Sequence, residues 1–237
     1  MAKAPLYAWQ IELLEEKDLN DSNPSVRSDA IENINDNNVL KKVVLKDSDL
    51  SVRLAALEHI DNNNILEDIA KKSNDFKLYH AALKRIDDNN VLANIVKRGR
   101  NINVRIAAIG HIDDDKILAD IVKKSINSHV QLVAIRQIND EKILEDFVIN
   151  SDEEKVKLEA IKGITDVEIL IKICKQNISD TISFAALNRI PVGEKRNFDD
   201  EMKTLNEKMR RSLKKGPYIN TGNPIRMKPW GRFRRYD

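Results

Sequence analysis

Asn103-Val-Arg-Ile-Ala-Ala-Ile-Gly-His-Ile-Asp-Asp-Asp-Lys-Ile-Leu-Ala-Asp-Ile-Val-Lys-Lys-Ser125 is the stretch that decides the fold. Val104, Ala107, Ala108, Ile109 and Ile112 fall on one helical face, and a polar break follows at Asp113-Asp114-Asp115. Ile117, Leu118, Ile121 and Val122 then define a second face. The pattern predicts two helices of roughly ten residues joined by a short turn. Helices this short are marginal alone in water, so their stability must come from lateral packing.

The same pattern returns every 26 residues on either side. Its marker is Val26, Val52, Leu78, Val104, Val130, Val156 and Ile182, seven occurrences with no inserted residue. A fixed period in this range marks a stacked repeat protein, in which each unit buries its apolar face against its neighbours. Ala30, Ala56, Ala82, Ala108, Ala134, Ala160 and Ala186 form a second column, where a larger side chain would push neighbouring helices apart. Packed helices sit about 8–10 Å from each other, so seven units predict a rod or gentle superhelix about 60 Å long. No proline occurs between Pro24 and Pro191, as uninterrupted short helices require. Pro24 itself suits the first turn of the first repeat helix.

The stretches Val52–Leu57 and Val104–Ile109 share the V-R-x-A-A-I/L character of HEAT repeats. Over about residues 25–190 the chain resembles a HEAT-like array in a short form; short leucine-rich-variant repeats share part of the pattern. The resemblance implies an all-α fold, a right-handed α-solenoid of about seven two-helix repeats. The expected organisation is an N-terminal cap helix within residues 1–24, the solenoid over 25–195, a capping helix at 196–215 and a basic extended tail at 216–237. Leu13 and Leu14 carry the cap helix at 8–19, in register with Val39-Leu40 and Ile65-Leu66. Phe198, Met202, Leu205, Met209 and Leu213 form the apolar stripe of the second cap, which would cover the last repeat's open face.

Composition narrows the class. The 237 residues are 41% hydrophobic and 33% charged, suited to a folded protein with a large surface-to-volume ratio. The first ten residues hold no apolar run resembling a signal peptide. No stretch approaches the roughly 20 apolar residues needed to span a bilayer. A single cysteine, Cys174, forms no intrachain disulfide and supplies no second thiol to a metal. A cytoplasmic location without membrane association is the expectation. The net charge of +2 hides an asymmetry: residues 201–237 carry 11 Lys/Arg against 3 Asp/Glu, and the first 200 carry 29 against 35. An acidic body is joined to a strongly basic end.

Repeated motifs become stripes. Asp36, Asn62, Asp88, Asp114, Asp140 and Asp166 precede each second helix, where such residues cap helix starts. A basic rim of Lys71, Lys72, Lys97, Arg98, Lys123 and Lys124 lies at the ends of the same helices, complementing their dipoles. Arg27, Arg53 and Arg105 follow the repeated valine, and the expectation for them is a bridge to acids of an adjacent unit, such as Asp47 or Asp49. His59 and His111 share a column but lie two units apart, about 20 Å at typical helix spacing, too far to share a metal. Cys174 aligns with Val96, Val122 and Val148 as a small core residue. No glycine-rich phosphate loop or nucleophile motif occurs. Cofactor, small-molecule substrate and catalytic residues are therefore not expected.

The chain's end has a different composition. Arg210, Arg211, Lys214, Lys215, Arg226, Lys228, Arg232, Arg234 and Arg235 interleave with Trp230, Phe233 and Tyr236. Cations of this kind neutralise phosphates while aromatic rings stack on unpaired bases. The same composition also fits a solvated tail, or one docking on the acidic body. Arg211-Ser-Leu-Lys-Lys-Gly-Pro-Tyr-Ile219 resembles the amino-terminal segment of the small-ribosomal-subunit protein S-nineteen family. That resemblance implies ribosomal-RNA contact through Arg211, Lys214 and Lys215. The leading expectation is a non-enzymatic adaptor whose solenoid binds a protein partner and whose tail contacts RNA, the ribosome included. The rivals are a pure protein–protein scaffold and, third, an enzyme on helical repeats such as a lyase or nucleic-acid glycosylase.

Overall fold

The computed structural model describes residues 18–176 and 178–191. Among them the chain forms thirteen α-helices and no strand. In chain order they are α1 Pro24–Ile31, α2 Asn37–Lys46, α3 Leu50–Glu58, α4 Asn63–Lys72, α5 Phe76–Arg85, α6 Asn89–Arg98, α7 Ile102–Ile109, α8 Asp115–Lys124, α9 Ser128–Gln137, α10 Glu141–Asn150, α11 Glu154–Gly163, α12 Val167–Gln176 and α13 Asp180–Arg189. The chain divides into two compact units, Met1–Arg189 and Ile190–Asp237, and all thirteen helices belong to the first. The cap helix expected at 8–19, save Asp18 and Leu19, and the capping helix and tail expected over 196–237 lie outside the described residues.

Every helix begins on a residue that suits its first turn. The even-numbered helices start at the predicted caps: Asp36, Asn62, Asp88, Asp114 and Asp140 each accept from a backbone N–H two residues on. The odd-numbered helices have a second cap column, Asn23, Asp49, Asp75, Asn101 and Asn127. Such caps satisfy amides that have no partner inside the helix. Glu153 holds the same position before α11 without a side-chain cap bond; its Oε1 instead accepts from Gln131 Nε2 at 3.1 Å. Pro24 occupies the first turn of α1, where its missing N–H costs nothing.

The helices pack in two interlocked rows. Odd-numbered helices lie against odd ones and even against even, while α2 packs on α3, α4 on α5, and so on to α12 on α13. The packing surface is the set of 26-residue columns. Val52, Leu78, Val104, Val130, Val156 and Ile182 are all buried, whereas Val26 in α1 is half-buried. The alanine column from Ala30 to Ala186 is buried throughout. So are Leu40, Leu66, Leu92, Leu118, Leu144 and Leu170 of the even helices. A further column, Ile34, Ile60, Ile86, Ile112, Ile138 and Ile164, closes each odd helix. Each of these isoleucines donates its N–H to the carbonyl three residues back and plugs the core with its side chain.

Polar contacts fix the step from one unit to the next. Asn37 Nδ2 donates to Asp61 Oδ1 at 2.9 Å, Asn63 to Asp87 at 2.7 Å and Asn89 to Asp113 at 2.5 Å. Asn37 and Asn89 also accept, from the N–H groups of Asp61 and Asp113, whereas in the following units the first residue of the even helix is an acid that only accepts. Asp115 accepts from the backbone N–H groups of Asn139 and Asp140, and Glu141 from those of Thr165 and Asp166.

The arginines after the repeated valine divide. Arg27 makes the expected bridge, with Nε and NH2 both 2.8 Å from the Asp47 carboxylate. Among the described residues Arg53 and Arg105 do not bridge to acids: their Nε atoms donate to the carbonyls of Val44 and Val96. Gln131 Nε2 reaches the Val122 carbonyl in the same way. These carbonyls lie in the last turns of α2, α6 and α8, where no intrahelical donor remains. For Arg53 and Arg105 that bare acceptor takes the place of a carboxylate, whereas Gln131 Nε2 is shared between the Val122 carbonyl at 3.3 Å and the Glu153 carboxylate at 3.1 Å.

The alanine column carries a test. Ala108 is fully buried between helices, so Ala108→Leu is expected to overpack the contact and cost about 1–3 kcal/mol. Urea unfolding of the two proteins measures it; an unchanged midpoint would contradict the packing role given to this column.

Candidate interaction surface

The edge where each even helix ends and the next odd helix begins gathers most of the rim cations, and most of those are internally neutralised. Lys71 pairs with Glu67, and Lys72 lies 3.0 Å from Asp68. Lys124 lies 2.6 Å from Asp120. Lys123 reaches Asp146 at 3.3 Å and sits 5.5 Å from the centroid of the Phe147 ring. Exposed pairs of this kind contribute about 0–1 kcal/mol each. Their larger effect is to cancel the field a partner would feel.

Lys97 and Arg98 are the exception. Both are exposed, and among the described residues neither has a carboxylate partner. The cause is local. In α4 the residues four before the two lysines are Glu67 and Asp68, whereas α6 carries Ala93 and Asn94 at those places. Asn94 Nδ2 turns away to Glu67 Oε1 at 2.6 Å. Arg100 follows in the loop, exposed and also without a carboxylate partner among the described residues. From Asn89 to Ile112 the sequence contains no Asp or Glu, so α6 and α7 interrupt an otherwise acidic body.

The same edge carries the large exposed apolar side chains. Phe76 is 64% exposed, Ile102 37%, and Ile126 is fully exposed. Phe76 and Ile102 are the first residues of α5 and α7, which pack side by side, and Ile126 lies in the loop before α9. The Phe76 ring stands edge-on to Tyr79 at 5.6 Å and 4.2 Å from His80. It is therefore held in place while most of its surface faces water. Sequence reasoning passed over these three residues; they were legible as apolar positions just before or at the start of odd helices, where other units carry Ser48, Asp152 or Glu154.

Among the described residues no three His, Cys, Asp or Glu converge in a manner that holds a metal, and no helix is long and apolar enough to cross a membrane. Cys174 is buried in α12. His111 faces His80 and Lys84; burial and those two neighbours hold its pKa below the usual histidine range. The RNA-contact residues expected from the sequence, Arg210, Arg211, Lys214, Lys215, Arg226, Lys228, Trp230, Arg232, Phe233, Arg234 and Arg235, lie outside the described residues.

Ion pairs set the acid response. The Arg27 guanidinium, donating to Asp47, holds that carboxyl below its ordinary range against the opposing effect of burial. Burial works against the Asp68 carboxylate as well, but Lys41 at 2.6 Å and Lys72 outweigh it and lower its pKa. A carboxyl whose pKa is lower folded than unfolded stabilises the protein above the unfolded value, near 3.8, and that contribution is lost as pH falls through the folded value. The urea midpoint is therefore expected to fall below about pH 4, and Asp47→Asn is expected to lower it at neutral pH while flattening this acid limb. An acid limb identical in the two proteins would count against the Arg27–Asp47 pair.

Comparison of the chain with protein-family models, with curated proteins and with solved structures gives no match in any of the three.

Proposed function

We propose that the protein is a non-enzymatic binding scaffold: a right-handed α-solenoid of about seven HEAT-like units that holds a protein partner in the cytoplasm. A basic C-terminal segment contacts RNA, the ribosome being the first candidate. The observation that carries the reading is the packing of short helices on their immediate neighbours through columns repeated every 26 residues. Proteins built this way present extended surfaces, and partner binding is what such surfaces serve. The buried positions among the described residues are nearly all apolar, so the fixed spacing of the repeat serves the stacking of helices that a binding surface needs.

The RNA part of the proposal is supported by the charge division. The 11 Lys/Arg of residues 201–237 stand against 3 Asp/Glu, with Trp230, Phe233 and Tyr236 among them. Phosphate contacts made by such a segment release counterions, so binding is steeply salt-dependent. The nine residues Arg211–Ile219 that resemble the S-nineteen family add Arg211, Lys214 and Lys215 to the contacts proposed for residues 216–237.

The test compares the full chain with a chain ending at Lys215. Electrophoretic mobility shift on ribosomal RNA and co-sedimentation with ribosomes are expected to show strong retention for the full chain, weakening at least tenfold between about 50 and 200 mM salt. The shortened chain is expected to lose most of that retention. Equal RNA binding by the two would remove residues 216–237 from the RNA contacts, and no binding by either would leave a protein scaffold alone. Affinity capture from cells with the shortened chain tests that scaffold separately, a stoichiometric protein partner being the expected result.

A further inference from the structure

We propose that the edge formed by the ends of α4, α6 and α8 and the starts of α5, α7 and α9 is the docking surface for an acidic amphipathic helix of the partner. Lys97, Arg98 and Arg100 would meet its carboxylates, and Phe76, Ile102 and Ile126 its apolar face. The inference rests on the scaffold reading and locates the surface that reading requires.

Three observations point to this occupant. The first is charge. Lys97, Arg98 and Arg100 have no carboxylate partner among the described residues, and the whole span from Asn89 to Ile112 contains no acid. Neighbouring units neutralise their own rim cations, so a partner's carboxylates are drawn to this unit above the others. The field is bounded: in the cap column before the odd helices, Asn101 and Asn127 stand between Asp75 on one side and Glu153 on the other.

The second is the kind of apolar residue exposed. Ile102 and Ile126 are aliphatic; they offer nothing to a nucleic-acid base that a smaller polar residue would not, whereas they bury well against leucine or phenylalanine. Large apolar side chains set among cations fit an acidic amphipathic peptide. The third is spacing. Phe76 and Ile102 begin adjacent helices, which sit about 8–10 Å apart, and a helix laid across them advances about 10.5 Å over seven residues. Apolar residues at i and i+7 of one helix therefore come opposite Phe76 and Ile102, and one at i+14 reaches the start of α9, whose preceding loop carries Ile126. The chain's own C-terminal segment is a poor occupant, because its surplus of Lys and Arg repels the same cations.

Fluorescence anisotropy on the full chain tests this. The probe is a labelled peptide of about 18 residues with leucines at i, i+7 and i+14 and glutamates on the remaining surface; its scrambled sequence is the control. The full chain is expected to bind the probe about tenfold more tightly than the control. Arg98→Glu with Arg100→Glu is expected to weaken probe binding about tenfold, and Ile102→Ser with Ile126→Ser about as much. The substituted side chains are exposed, and thermal unfolding checks that each variant folds.

Probe binding unaffected by both double substitutions would overturn the proposal, since the basic tail would then account for it. Equal binding of probe and control would also overturn it, reducing the edge to unspecific charge. Tighter binding of a labelled oligouridylate of about 20 nucleotides, lost with Arg98→Glu and Arg100→Glu, would make the edge an RNA surface instead. A dimer in sedimentation that the same substitutions dissociate would make the occupant a second copy. Each of these leaves the scaffold reading standing, because that reading fails on a different measurement, the absence of any protein partner in the capture experiment.

Discussion

Isolated helices of eight to ten residues pay more to nucleate than their few hydrogen bonds return, so α1 to α13 exist because each covers its neighbours. Burial between units is the interaction on which everything else depends, and it explains why the columns are so strict. Val52, Val104 and Val130 are fully buried, as are Ala56, Ala82, Ala108 and Ala134. A change in size at one step would alter the distance between two helices and be felt at the next step along. The apolar columns set spacing, and the alanines set the closest approach.

Short helices also multiply helix ends, and every end leaves amides or carbonyls without intrahelical partners. The molecule answers with side chains at fixed places in the unit. Asx residues cap the starts of both helices of a unit. Arg53, Arg105 and Gln131 satisfy carbonyls at the ends of even helices, and Arg85 and Arg189 reach the carbonyls of Ile60 and Ile164 at the ends of odd helices. Much of the polar repetition in the sequence is therefore structural. That is why the places where it lapses, as in α6, are informative about partners.

The apolar framework was legible in the sequence because burial demands the same small set of residues at each turn. Val104, Ala108 and Leu118 announce their columns by recurrence alone. The caps before even helices were equally plain, while those before odd helices, Asn23, Asp49 and Asp75, recur at the same interval but sit among other polar residues that mask them. Arg53 and Arg105 were misdirected to carboxylates, because composition shows where acids are and not where a helix leaves a carbonyl bare. The basic rim was read as six equivalent cations. Whether a lysine is free depends on the residue one turn earlier, and the exchange of Glu67 and Asp68 for Ala93 and Asn94 separates Lys97 and Arg98 from the rest.

The contacts between Asn37 and Asp61, Asn63 and Asp87, and Asn89 and Asp113 run from amide to carboxylate, whereas Asp115 and Glu141 accept from turns bearing Asn139 and Thr165. Asp115 meets the uncharged Asn139 and Glu141 the uncharged Thr165 at the position where Asp61, Asp87 and Asp113 each meet an amide. Units that look interchangeable by their apolar columns are thus marked for position. Moving Asp115 or Glu141 in front of Asp61, Asp87 or Asp113 would set two carboxylates face to face, a repulsion the native order avoids. An array of near-identical parts is prone to pairing out of step as it folds, and this change of polarity gives the chain a direction of assembly that its hydrophobic repeat does not encode.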